Sequence, residues 1–402
     1  MATIAVIGTL DTKGQEHAYV AEILRQRGHQ TLLIDTGSGT SPTVEPDISR
    51  EEVATAGGID LAGIMERKDR GEAVMAMAGA SAKLLSDLVA QNRIQGVISL
   101  GGGGGTAIST EAMRALPIGF PKVMVSTLTA GNVAPYVGTK DIVMIPSIVD
   151  VSGINRLSRT LLARAAGAIS GMVEVVIPDV EAKPLIAASM FGNTTECVNA
   201  AKQQLEDAGY EVLVFAATGT GGRIMESLIE SGLITGVLDI TTTEWADELV
   251  GGVLNAGSHR LEAAGKTGTP AIITPGCLDM VNFGERASVP DKYKDRLFYQ
   301  HNAQVTLMRT TPAECAELGR ILAEKVNAYT APVTMLLPLR AISVISAPEQ
   351  PFHDPKADTA LFEAIKTHLN PGIPVIEMDC LINSPEFAKA CVDTLLNSLP
   401  KL

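Results

Sequence analysis

The sequence predicts an α/β protein of two domains, each built on a mostly parallel sheet with helices on both faces. Three observations carry this expectation. Short apolar runs such as residues 3–8 (TIAVIG) end in glycine and suit strands buried on both faces. These runs alternate with longer helical segments, the pattern of right-handed βαβ units. The chain also has 402 residues, more than one hydrophobic core usually serves.

In order, the pattern gives a strand at 3–8, a helix at 15–27, and a strand at 31–34 that ends on Asp35. The polar segment 36–46 belongs to a surface loop. An Ala- and Met-rich helix covers 71–90, then a strand at 96–100, five glycines, and a helix from 106. Strands at 121–126 and 141–145 and a helix at 154–170 close the first half. The boundary falls within 171–184, giving domains 1–178 and 179–402. The second half repeats the alternation, with strands near 184–190, 212–216, 235–240, 271–274, 304–308, 332–336 and 373–377. Its helices are expected at 194–208, 223–231, 312–328, 355–367 and 385–398. GVISLGGGGGTAIS at 96–109 and EVLVFAATGTGGRIME at 211–226 share one plan: strand, glycine turn, helix. Residues 275–303 show little regular pattern, and so long a loop in a compact domain is often functional.

Composition narrows the classes. The net charge of −13 and scattered basic residues offer no stripe for a nucleic acid. Five separated cysteines without a CxxC suggest neither a disulfide framework nor a zinc site. The N-terminal apolar run lacks a basic flank, and no uninterrupted apolar stretch approaches 18 residues. The expectation is therefore a cytoplasmic protein with no membrane partner.

Glycine-rich turns at strand ends are the candidate chemistry. The first is Gly8-Thr9-Leu10-Asp11-Thr12-Lys13-Gly14, at the carboxyl edge of the sheet where open α/β folds collect ligands. Thr9 and Thr12 offer hydroxyls to a phosphate, Lys13 offers charge, and Asp11 suits a metal, a ribose or a helix cap. The spacing is neither a P-loop nor GxGxxG. The second is Gly101 to Gly105 with Thr106, where side-chain-free backbone can bring its amides to an anion. Ser126 to Asn132, with Thr127, Thr129 and Gly131, extends the same rim. In the second half, Gly219 to Gly222 with Arg223 makes a further candidate nest, and Thr241 to Glu244 has capping-box spacing. Asp279, Asn282, His301 and Arg309 together suit a substrate carboxylate or phosphate and a proton transfer, against the plainer reading of structural polar residues. Cys277 has no base beside it in sequence. Asp11 and Asp239 are the acidic strand-end residues available to Mg²⁺, but no metal motif surrounds either.

Several of these segments together resemble one family, the Tm-1-like ATP-binding or UPF0261 family. They are GTLDTKGQE at 8–16, GGGGGTA at 101–107, PKVMVSTLTAGN at 121–132 and YVGTKDIVMIPSIVDVSGIN at 136–155. VLDITTTEWADELVGGV at 237–253, TPGCLDMVNFG at 274–284 and HNAQVTLMRTT at 301–311 continue the likeness over nearly the whole chain. The resemblance implies two Rossmann-like three-layer domains facing a cleft, a homodimer, and ATP held by the first domain. It carries ATP contact onto Thr9, Asp11, Thr12, Lys13, Gly103, Gly104, Gly105, Thr106, Thr127 and Gly131, with Mg²⁺ as companion. The chain departs from the family pattern at Gly103, where serine is frequent, and in Thr127 to Gly131, which shifts hydroxyls. The alternative function is an enzyme acting on a small phosphorylated or carboxylated metabolite in the cleft between the domains.

Overall fold

The computed structural model of this chain describes residues 1–178 and 182–400. The chain divides into two compact units, Met1–Asp179 and Val180–Leu402.

Unit 1 runs β1 (Thr3–Gly8), α1 (Leu10–Gln26), β2 (Gln30–Asp35), α2 (Arg50–Gly57), α3 (Leu61–Arg67), α4 (Arg70–Ala90), β3 (Gly96–Gly101) and α5 (Gly103–Arg114). It closes with β4 (Lys122–Ser126), α6 (Ala134–Val137), β5 (Val143–Pro146) and α7 (Arg156–Glu174). The five strands form one sheet in the order β2-β1-β3-β4-β5, with every pairing parallel. Alternate side chains of β1 explain the layers. Ala5 and Ile7 pack with Met77, Leu85 and Met113 on one face. Ile4 and Val6 pack with Val20, Leu24 and Leu162 on the other. A strand buried on both faces must be apolar at every position, which is why TIAVIG shows no polar alternation.

Three local features of unit 1 were not expected. The segment 36–46 is a loop, but α2 and α3 come after it, each started by a side-chain cap, Ser49 and Asp60. The glycine run does not precede its helix: α5 begins at Gly103, so three of the glycines are its first turn. And α4 is long and apolar enough to cross a membrane by length and composition, with a mean hydropathy of 1.4 over its apolar window. Lys83 and Asp87 interrupt that average, and Met77, Ala80, Leu85 and Leu88 are buried in the core it shares with α2 and α5.

Unit 2 runs β6 (Leu185–Met190), α8 (Thr195–Asp207), β7 (Glu211–Ala216), α9 (Thr220–Glu230), β8 (Ile234–Thr241), α10 (Glu244–Val250), α11 (Ala263–Thr267) and β9 (Ala271–Gly276). After it come β10 (Met280–Phe283), β11 (Phe298–Asn302), β12 (Val305–Arg309), α12 (Pro312–Asn327), β13 (Val333–Pro338), α13 (Pro355–His368), β14 (Val375–Met378) and α14 (Pro385–Ser398). Six strands make a parallel sheet in the order β14-β13-β9-β8-β6-β7. The expectation of an irregular stretch over 275–303 does not hold. β10 and β11 lie within it and pair antiparallel with β12 as a separate three-stranded sheet, so β12 is no member of the main sheet.

The two strand–glycine–helix turns differ in place. β3 is the central strand of its sheet, whereas β7 is an edge strand. They also differ in space. A Cβ on Gly221 would lie 1.8 Å from the Ala216 carbonyl oxygen, while one on Gly103 would meet nothing within 4 Å. Gly221→Ala is therefore expected to destabilise unit 2 by about 2–4 kcal/mol through a backbone clash. Gly103→Ala is expected to be neutral or to stabilise by up to about 1 kcal/mol. Urea denaturation of the two variants beside the parent protein checks the contrast.

Candidate functional site

The polar groups of unit 1 gather at the carboxyl ends of β1, β2 and β3, in the turns that leave those strands. Asp35, the last residue of β2, organises this edge. One of its carboxylate oxygens accepts from the amides of Leu10 and Gly37, at 3.0 and 2.8 Å, and the other from Arg50 Nε at 2.9 Å. Arg50 in turn donates to the carbonyls of Gly39 and Thr40. Asp35 is thus buried, with both carboxylate oxygens occupied. Its work is to fasten the β1–α1 turn to the loop after β2.

The β1–α1 turn is itself the first turn of α1, capped at Thr9. The hydroxyls of Thr9 and Thr12 lie 3.1 Å apart, and the amides of Thr12 and Lys13 both bond the Thr9 carbonyl. Lys13 leaves helical geometry (φ −129°, ψ 22°), and its carbonyl meets His17 Nδ1 at 2.7 Å. Burial lowers the His17 pKa, and its Nε2 has no partner. Asp11 Oδ2 accepts from the Gly39 amide at 2.9 Å, while Oδ1 is buried without a partner. Asp11 thus does something none of its three readings named: it ties the loop after β2 with one oxygen, and the other has no partner among the described residues.

Opposite this turn stands the N-terminus of α5. Its cap residue is Gly102, which has no side chain to bond the free amides, and the first helical bond runs from the Thr106 amide to the Gly102 carbonyl. The amides of Gly103, Gly104 and Gly105 are therefore without protein partners, at the positive end of the helix dipole. A cavity of about 680 Å³ lies between the two turns. Its lining includes Thr9, Asp11, Thr12, Lys13, Gly101 to Gly105 and Asp150. Lys68, Asp69 and Arg70, at the α3–α4 junction, join them, so the lining carries three cations, Lys13, Lys68 and Arg70, and three carboxylates, Asp11, Asp69 and Asp150. Sequence reasoning missed Lys68 and Arg70. Their signal is weak, since only folding brings the start of α4 beside Gly104, with Arg70 Nη2 3.8 Å from where a Cβ there would sit.

Three of the expected contacts fall elsewhere. Thr106 is fully buried, and its hydroxyl bonds Ser126 Oγ at 2.7 Å, so it braces β4 and does not face the cavity. Thr127 lines a neighbouring cavity of about 450 Å³ with Ser126, Ala130 and Pro146 to Asp150. Gly131 lines neither. Thr9, Asp11, Thr12, Lys13 and Gly103 to Gly105 are the residues brought together.

In unit 2 the expected quartet comes together only in part: Arg309 lies beside Asp279 and acts on its charge, while Asn282 and His301 are placed apart from that pair. Asn282 gives its side-chain amide and its backbone amide to Asp247, at 2.6 and 2.8 Å. Asp279 accepts from Ser343 Oγ at 2.8 Å and keeps Oδ1 unpartnered. Arg309 pairs with Asp358 at 2.6 Å and donates to the Phe352 carbonyl. His301 is exposed at a bulge near the β11–β12 turn, while Asp279, Asn282 and Arg309 are buried. Burial also pushes the Cys277 thiol well above its ordinary value, which removes it as a nucleophile.

The nest at Gly219 to Gly222 is already filled. Glu244 Oε1 accepts from the amides of Gly219 and Gly222, at 2.7 and 3.1 Å, and Oε2 from Arg260 Nε at 2.7 Å. Arg260 is buried and also holds Asp239 and Glu226. Asp239 therefore has a guanidinium where a metal was considered. Among the described residues no three of His, Cys, Asp and Glu gather as a metal site.

The fold and this edge define a class: a two-unit Rossmann-like α/β protein with a polar cavity at the strand ends of its first unit. Residues 2–178 match the N-terminal domain, and residues 183–399 the C-terminal domain, of the "Uncharacterised protein family (UPF0261)". The chain belongs to the UPF0261 family. It is 50% identical over 400 residues to a "UPF0261 protein" of Clostridium tetani (strain Massachusetts / E88), covering 99% of each chain. It is 38% identical over 421 residues to the "ToMV susceptible protein tm-1(GCR26)" of Solanum lycopersicum, covering 98% of this chain and 55% of that one. A solved structure of Acinetobacter baumannii MurG is a distant likeness, at 12% identity and a TM-score of 0.23, covering 100% of this chain and 96% of that one.

Two buried carboxyls set a pH dependence. Burial raises Asp247 to about 7 and Asp279 to about 6, the latter against the pull of Arg309. Both hold a proton to higher pH than the unfolded chain, whose carboxylates titrate near about pH 4. The stability they contribute is therefore complete below that range and is lost as pH rises toward 6 and 7. Asp247→Asn removes one such proton. Between about pH 5 and 7 the parent's unfolding free energy is expected to fall relative to the variant's by up to about 1.4 kcal/mol per pH unit. Urea titrations across that range measure the difference in slope.

Proposed function

We propose that unit 1 binds ATP or a closely related nucleotide, with its phosphates on the N-terminus of α5. The observation that carries the reading is the set of three partnerless amides at Gly103 to Gly105, bordered by Lys13, Lys68 and Arg70. Such a terminus favours anions through both its amides and its dipole. The hydroxyls of Thr9 and Thr12 add neutral donors, and a cavity of about 680 Å³ is of nucleotide size. The comparison within the chain supports an anion as occupant. Where the second glycine turn starts α9, a carboxylate of the protein itself sits on the amides.

Asp11 suits a Mg²⁺ that accompanies the phosphates, because it lines the cavity and its Oδ1 is without a partner among the described residues. Magnesium is commonly held by one or two carboxylates together with substrate phosphates, and when bound it would neutralise charge between them. The alternative of an enzyme built on Asp279, Asn282, His301 and Arg309 has less support, since those side chains serve separate hydrogen-bond networks.

Calorimetric titration with ATP, ADP, NAD and a sugar nucleotide, with and without Mg²⁺, tests the reading. ATP is expected to bind the parent protein. Lys13→Ala is expected to weaken it about tenfold or more, the loss of one charge-assisted contact. Gly103→Asp is expected to abolish binding while the protein stays folded, because the new carboxylate would take the amides and a Cβ there meets nothing within 4 Å. Absence of binding by every nucleotide would end the proposal.

A further inference from the structure

The second cavity of unit 1, about 450 Å³ beside the first, has no role in the nucleotide reading. Its chemistry differs from the first. Lys, Arg and His are absent from its lining, which is Ser126, Thr127, Ala130, Pro146, Ser147, Ile148, Val149 and Asp150. The free polar groups there are few. Ser126 Oγ is committed to Thr106 and to the Leu128 amide, and Ser147 Oγ donates to the Val149 carbonyl. That leaves the Thr127 hydroxyl and the Asp150 carboxylate, against an apolar wall of Ala130, Pro146, Ile148 and Val149.

Two observations mark this as a built site. Ile148 stands at φ +64°, a left-handed conformation that a β-branched residue rarely adopts, with 70% of its surface exposed at the cavity rim. Ser147 holds it there from both sides: its carbonyl accepts from the Val149 amide and its hydroxyl donates to the Val149 carbonyl. The loop is also pinned further on, where the Gly153 amide donates to the buried Glu16 at 2.5 Å. Strain of this kind persists only when the surroundings impose it. Asp150, an exposed residue of this loop, lines both cavities. The cavities also adjoin at Gly102, whose Cβ, if it had one, would lie 3.8 Å from the Thr127 hydroxyl.

We propose that this cavity is the subsite for a second small ligand, an amine or alcohol with a short apolar flank, anchored by donating a hydrogen bond to Asp150. With no Lys, Arg or His in this cavity's own lining, its carboxylate favours N–H or O–H donors over anions on this side. The ligand's polar atom then lies beside whatever anion occupies the α5 terminus. The proposal extends the nucleotide reading to a second ligand and does not require the first to be ATP.

Ethanolamine, 3-aminopropanol and 1,2-propanediol serve as probes, with acetate as the anionic control, each titrated calorimetrically with and without saturating ATP. At least one donor probe is expected to bind the parent protein and acetate is not. Asp150→Asn is expected to weaken that probe at least tenfold. Ala130→Trp, at an exposed position that lines only this cavity, is expected to do the same while ATP affinity changes less than threefold. Binding of no donor probe, equal binding of acetate, or binding unaffected by both variants would overturn the proposal. The two readings fail separately. ATP binding without probe binding removes the second ligand alone, and probe binding without ATP binding removes the nucleotide alone.

Discussion

The buried guanidinium of Arg260 is the interaction on which the arrangement of unit 2 depends. It gathers Asp239 from β8, Glu244 from the start of α10 and Glu226 from α9, all at or near hydrogen-bond contact. Burial pushes the Glu244 carboxyl up, and Arg260 opposes that rise. Three donors surround it: two amides and the guanidinium Nε. A buried charge set of this kind adds little net stability over an apolar core, yet removing one member leaves the others uncompensated. Its structural effect is specific. It places a carboxylate on the N-terminus of α9 and so closes one of the chain's two strand–glycine–helix turns.

Unit 1 solves the same local problem the other way. Its buried acid–base pair, Asp35 with Arg50, is spent on the loop and on the turn into α1, and no side chain reaches the amides of α5. The open amides sit at the carboxyl edge of a central strand, where neighbouring loops supply Lys13, Lys68 and Arg70. An unfilled helix terminus keeps its amides free to donate, whereas a filled one beneath a closed ion network does not. The difference between the two turns comes from tertiary partners and not from glycine content.

That distinction explains what was legible in the sequence. The parallel sheets could be read because a strand buried on both faces leaves an uninterrupted apolar run, as in TIAVIG and in Gly96–Leu100. Thr9, Asp11, Thr12, Lys13 and the glycines could be read as a site because strand-end turns are local. What failed was anything that needs a distant partner. Nothing near Glu244 in sequence announces that it fills the α9 terminus, and Arg260 lies sixteen positions further along. Thr106 looked like a ligand hydroxyl, but Ser126 lies against it. Asp279, Asn282, His301 and Arg309 looked like one constellation because they share a polar stretch; pairing of β10 with β12 does bring Arg309 beside Asp279, but Asn282 is taken by Asp247 and His301 is exposed near the β11–β12 turn. The short strands of that sheet were missed because a four-residue run such as Met280–Phe283 carries too little pattern.

The strand order of unit 1 also has a meaning in time. β3 lies between β1 and β4, so the sheet cannot close until residues beyond Gly101 have been made. The helix α4 comes off the ribosome before then, carrying the longest apolar face of the described chain and lacking the α5 surface that covers it. During synthesis the growing chain therefore passes through an interval in which this apolar helix is complete and has its α2 and β1 partners but not α5. α5, the helix that carries the open amides, is the element that ends the interval.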